Sequence, residues 1–129
     1  MYAEYNNNPQ NKRVGDCVIR AISKALGKDW NEIYIDLSVE GFKQADSFQS
    51  MAVWGNYLKE NGWQQMLLPD TCPVCYTVRN FCSDNPQGYF ILVTGSHVIA
   101  VIDGVYFDTW DSGDEVPVYF FKRKEGQNK

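Results

Sequence analysis

The dipeptide Asp103-Gly104 sits between two apolar runs, His97 to Ile102 and Val105 to Thr109. Such a pair favours a two-residue turn with positive φ at both positions, whose twist suits paired antiparallel strands. A loop of that length also sets the register, so that Ile102 faces Val105, Ile99 faces Asp108 and His97 faces Trp110. Opposed residues share a face and alternate residues repeat it, which puts His97, Asp108 and Trp110 on one side of the hairpin. Asp108 is then diagonal to His97, roughly 7–8 Å away at Cα, a gap that two polar side chains bridge. A slip of one residue would move the two onto opposite faces.

Upstream the period is helical. Asp16 can cap a helix from Cys17 to about Leu26, stopped by Gly27, with Val18, Ile22, Ala25 and Leu26 inward. Asp29 with Glu32 three residues on is a capping-box pattern for a second helix, with Trp30, Ile33, Tyr34 and Leu37 on its apolar face. A third helix is expected over Gln49 to Asn61, with Val53, Trp54, Tyr57 and Leu58 inward and Gly62 as its stop. Further strands are expected at Trp63 to Leu68, Tyr89 to Val93 and Val116 to Phe121. Between them, Cys72 to Asn85 reads as a turn followed by a short helix near Thr77 to Cys82. The first 14 residues read as an extended arm, and 122–129 as a frayed tail. Helices first and antiparallel strands afterwards describe a single α+β domain over 1–129, its N-terminal helices packed on the sheet.

The aromatics Trp54, Tyr57 and Trp63 read as core rather than as a ligand cage. A formal net charge of -4 with no basic stripe argues against nucleic acid as a partner. No apolar run is long enough to span a bilayer, so no membrane partner is expected. The polar N-terminus lacks the apolar stretch of a secretory signal, which makes the cytoplasm the expected compartment and reduced thiols the expected state of the four cysteines.

Chemistry concentrates at Cys17. A thiol at the opening of a helix lies against unpaired N–H groups and the positive end of the dipole, which favour a thiolate. The competing reading is a small buried core residue. His97 is the only histidine in the chain. A carboxylate at Asp108 would orient its imidazole and support the imidazolium formed when it takes a thiol proton. Asp111 is the second choice for that role. With Asp114 and Glu115 it otherwise reads as a solvated turn. For a developing oxyanion, Asn11, six positions before Cys17, or its neighbour Gln10 could join the Cys17 N–H, unless both belong to a solvated arm.

The order Cys–His–Asp, with the cysteine opening a helix and its partners on later strands, resembles the papain-like cysteine peptidase superfamily. That resemblance implies an oxyanion amide at the spacing of Asn11. It also implies that Asp108-Thr109-Trp110 is the counterpart of a segment whose first residue orients the histidine and whose Trp shields that bond. More closely, Gly15-Asp16-Cys17-Val18-Ile19-Arg20-Ala21-Ile22 and His97-Val98-Ile99-Ala100-Val101-Ile102-Asp103-Gly104 resemble small uncharacterised proteins of bacteriophages and their Gram-positive hosts. The chain departs from papain in a shorter helical half and in lacking a Cys-Trp pair after the nucleophile.

Cys72-Pro73-Val74-Cys75 with Cys82 is the rival feature, three of the four ligands of a zinc site. Reduced cysteines packing a loop is the favoured reading of it. The expected function is a cysteine hydrolase or acyl transferase acting on an amide, isopeptide or thioester in a protein or peptide, a host protein included, with no cofactor. The alternatives are a catalytically silent phage-encoded module that binds a host protein, and a zinc-stabilised binding domain.

Overall fold

The computed structural model describes residues 1–123. At its centre is the Asp103-Gly104 turn, with φ of 51° and 79°, joining β4 (Val98–Ile102) to β5 (Val105–Asp108). Ile102 pairs with Val105, Val101 with Tyr106 and Ala100 with Phe107, which is the register expected of a two-residue loop. Three more antiparallel pairings add β3 (Tyr89–Val93), β6 (Tyr119–Arg123) and β2 (Trp63–Leu67). The sheet is not wholly antiparallel, however. Residues Tyr2–Glu4 of the expected arm form β1, which lies parallel to β5. The six-stranded order is β1-β5-β4-β3-β6-β2.

The helices are α1 (Cys17–Leu26), α2 (Trp30–Gln44), α3 (Met51–Glu60) and α4 (Val78–Asp84). Gly27, at φ 71°, closes α1 in the left-handed conformation. Ser50 caps α3 through a bond from the Ala52 N–H, and Thr77 with Asn80 forms the capping box of α4. The box expected at Asp29 does not form, because Glu32 pairs with Lys28 at 3.6 Å instead. Tyr34 is 40% exposed rather than inward, and its ring stacks on Trp30. Strand β6 starts three residues later than expected. Pro117 precedes it and has no N–H for a ladder. Its end, Lys122 and Arg123, is paired rather than frayed; the rest of the expected tail, 124–129, lies outside the described residues.

Alternation along β4 explains its unbroken apolar run. Val98 and Ala100 join the core under α1, α2 and α3, with Ile19, Ile22, Ile33, Leu37 and Phe121. Ile99 and Val101 join a second core with Val78, Phe81 and Cys82 of α4. A strand covered on both faces loses the need for polar alternation. The architecture is a single α+β domain whose sheet is flanked by helices on both sides. Among the described residues no helix is long and apolar enough to cross a membrane.

Candidate active site

Four strand ends meet at one edge of the core: β3 stops at Val93, β4 begins at Val98, β5 stops at Asp108 and β6 begins at Tyr119. The N-terminus of α1, which packs on β4, completes this corner. Cys17 is the first helical residue, so its own amide and the next two have no intrahelical acceptor. Cys17 and His97 line the same groove.

The imidazole is held from one side. His97 Nε2 lies 2.6 Å from Asp108 Oδ2, leaving Nδ1 as the ring nitrogen free for the thiol. Asp108 is wholly buried, and all its bonds are made. Its Oδ2 also accepts from the Ser112 hydroxyl at 2.7 Å, while Oδ1 accepts from the Thr109 N–H at 2.8 Å and from Arg20 at 3.1 Å. Trp110 packs against the imidazole with ring centroids 5.4 Å apart. Burial pushes the Asp108 carboxyl up, but the bonds from His97 and Ser112 outweigh it and hold the group below its ordinary value.

The same balance acts on the thiol and the ring. Burial raises the Cys17 pKa. The neighbouring His97 ring and Val98 amide, with the charges of His97 and Arg20, outweigh burial and bring it below the ordinary thiol value. For His97, burial lowers the pKa, but the bond to Asp108 and the neighbouring Cys17 thiol carry it up to about 9. Each group favours the charged form of the other, which is the condition for a thiolate–imidazolium pair. Cys82 is the contrast: buried in α4, its thiol is pushed up by desolvation.

No family model, curated protein or solved structure matches this chain. Two residues of the site, Arg20 and Ser112, carry little signal in the sequence. Arg20 donates to Asp16 Oδ1 at 2.7 Å and to Asp108 Oδ1 at 3.1 Å, with all three side chains buried. Asp16 in turn accepts from the Trp30 indole at 2.8 Å. That use of its carboxylate explains why Asp16 stands at the N-cap without a side-chain capping bond. The i, i+4 spacing of Asp16 and Arg20 was the available signal for half of this bridge. Ser112 carried none.

Other expectations fare differently. Gln10 and Asn11 are exposed and do not line the groove. The Asn8 side chain accepts from the backbone N–H groups of Gln10 and Lys12, winding the arm into a turn that leaves both amides outside. The amide that does line the groove is Gln49, which donates to the Gly15 carbonyl at 3.2 Å. Asp111 bonds Tyr106 and Arg79 rather than His97. Cys72 and Cys75 are joined in a disulfide, not reduced. The tight turn they span, closed by Thr71 Oγ1 on the Val74 carbonyl, puts their Cα atoms 4.2 Å apart. Cys82 packs in the second core, and among the described residues no group of three or more His, Cys, Asp or Glu could hold a metal ion.

Proposed function

We propose that this chain is a papain-like cysteine hydrolase or acyl transferase, with Cys17 as nucleophile, His97 as acid–base and Asp108 as the group that orients the ring. The observation that carries the reading is Cys17, at the first turn of α1, sharing one groove with His97, whose Nε2 lies 2.6 Å from the buried Asp108 carboxylate; a thiol drawn down and an imidazole drawn up accord with it. In the first step the thiolate attacks the carbonyl carbon of an amide, isopeptide or thioester. The carbonyl electron pair moves to oxygen, where the Cys17 N–H at the helix start is placed to receive it. Collapse breaks the bond to the leaving group, which departs with the His97 proton and leaves a thioester on Cys17. Water, or an amine in a transfer reaction, then gives a proton to His97 and attacks the thioester. The acid or new amide is released and the thiol returns.

The test compares alkylation of Cys17 by iodoacetamide near neutral pH, followed by intact mass, with that of a small free thiol, because Cys82 is buried. Cys17 is expected to react the faster, and His97→Ala to remove most of the advantage. A Cys17 no faster than the free thiol would falsify the enzyme reading. A second reading, a silent module that occupies a host protein, draws on the apolar residues Ile35, Val39 and Phe42 of α2, exposed at 61%, 48% and 87%. A biological effect that survives Cys17→Ala would favour it.

A further inference from the structure

The groove beside the Cys17 sulfur is one-sided in its chemistry. It encloses about 380 Å³ between the start of α3, the 94–97 turn and the ends of β3 and β6. Val18, Met51, Trp54, Val93, Val118 and Tyr119 supply its apolar surface. Its polar contributions are Gly15, Gln49 and the Thr94–His97 turn, and among the described residues no Asp, Glu, Lys or Arg lines it. The floor is fixed by the main core: Val18, Trp54 and Val93 are 7%, 3% and 6% exposed, and the Trp54 ring packs edge-on to Phe121. Val118, at the mouth, stays 47% exposed.

We infer that this groove receives the acyl side of the substrate, and that the residue bearing the attacked carbonyl is uncharged with a bulky apolar side chain. The assignment rests on the cysteine-nucleophile reading above. A carbonyl carbon bonded to Cys17 carries its acyl substituent beside the sulfur, where Val18 of the nucleophile's own helix and Met51 and Trp54 of α3 form the wall. The leaving group belongs at the opposite wall of the same groove, the 94–97 turn, where it collects its proton from His97. Apart from the Cys17–His97 pair, whose charges offset each other, a charged side chain desolvated against these walls has no compensating partner, whereas an apolar one is transferred out of water with gain.

The experiment uses the whole chain and N-acetyl-leucyl, N-acetyl-aspartyl and N-acetyl-lysyl chloromethyl ketones. In each, the thiolate displaces chloride, forming a carbon–sulfur bond as the carbon–chlorine bond breaks. Rates of Cys17 modification are read by intact mass and divided by the rate of the same reagent with a small free thiol. The leucyl reagent is expected to lead the other two by roughly 10- to 100-fold, the range for burying one large apolar side chain. Val118→Asp, on an exposed position, is expected to narrow the leucyl lead and favour the lysyl reagent. Equal corrected rates, or a ranking unmoved by Val118→Asp, overturn the assignment. Iodoacetamide separates the two levels. A Cys17 that outpaces the free thiol but ignores the side chain defeats this inference alone, whereas a Cys17 no faster than the free thiol defeats the enzyme reading and this one with it.

Discussion

Replacing Arg20 with methionine keeps most of the side-chain length and removes the charge. The guanidinium stands 2.7 Å from Asp16 and 3.1 Å from Asp108, whose side chains are 4% and 0% exposed. In the variant two buried carboxylates lose their common cation. Breaking a buried pair by deleting one partner costs about 3–5 kcal/mol, against a total of about 5–15 kcal/mol that holds an ordinary domain. The melting temperature is expected to fall on the order of 10–20 °C. Reactivity changes as well. Burial raises the Cys17 pKa, and Arg20 is among the groups that outweigh it. Without that charge, thiolate formation shifts to higher pH. Urea unfolding of Arg20→Met reads the first effect. The pH dependence of Cys17 alkylation by iodoacetamide, taken where the variant is folded, reads the second. Arg20→Lys restores the charge without the fork across two carboxylates, so it should recover more of the titration than of the stability. Wild-type stability together with a wild-type Cys17 titration in Arg20→Met refutes the reasoning. A loss of stability alone reduces Arg20 to a strut.

Three further outcomes are expected. Its bond to Asp108 raises the His97 pKa to about 9, and the protonated ring that the proposed mechanism uses on the leaving group is lost as pH rises through that value. Acyl-enzyme formation should therefore decline above about pH 9 while iodoacetamide alkylation, which needs only the thiolate, does not; parallel pH profiles would contradict this. Trp110 is 45% exposed and packs on His97, so Trp110→Ala should slow turnover several-fold by admitting water to the His97–Asp108 bond, with the melting temperature nearly unchanged. Gly113 leaves no room for a Cβ against the Tyr106 hydroxyl and Arg79. Gly113→Ala should cost about 1–3 kcal/mol in thermal unfolding, and an unaltered melting curve would show that this loop yields freely.

The parts of the site that could be read in the sequence were those set by local chemistry. Asp103-Gly104 admits few turns, and with the turn came the register that brings His97 to Asp108. Gly27 and the period of Val18, Ile22 and Ala25 placed Cys17 at a helix start. What escaped the reading depends on distant partners. Arg20 meets Asp108 across 88 positions, and nothing near Ser112 marks it as a donor to that carboxylate. Strand β1 has three residues and no alternation to announce it; it forms because β5 offers a free edge. Asn11 misled because spacing along the chain says nothing of the Asn8 side chain, which turns the arm away from Cys17.

The bridge through Arg20 also bears on how the proposed reaction conserves charge in a buried place. Two carboxylates, Asp16 and Asp108, face one guanidinium, which leaves one net negative charge. The thiolate–imidazolium pair adds none, and neither does the thioester with neutral imidazole that follows once the leaving group has taken the proton. The buried cluster thus keeps the same net charge before and after acylation, and no step strands a new ion in the core. Without Arg20 the cluster would hold a second negative charge beside His97. The imidazole would then keep its proton more tightly and yield it to a leaving group less readily. By this reasoning the guanidinium acts on both halves of the pair, easing ionisation of the thiol and limiting how far Asp108 raises the histidine.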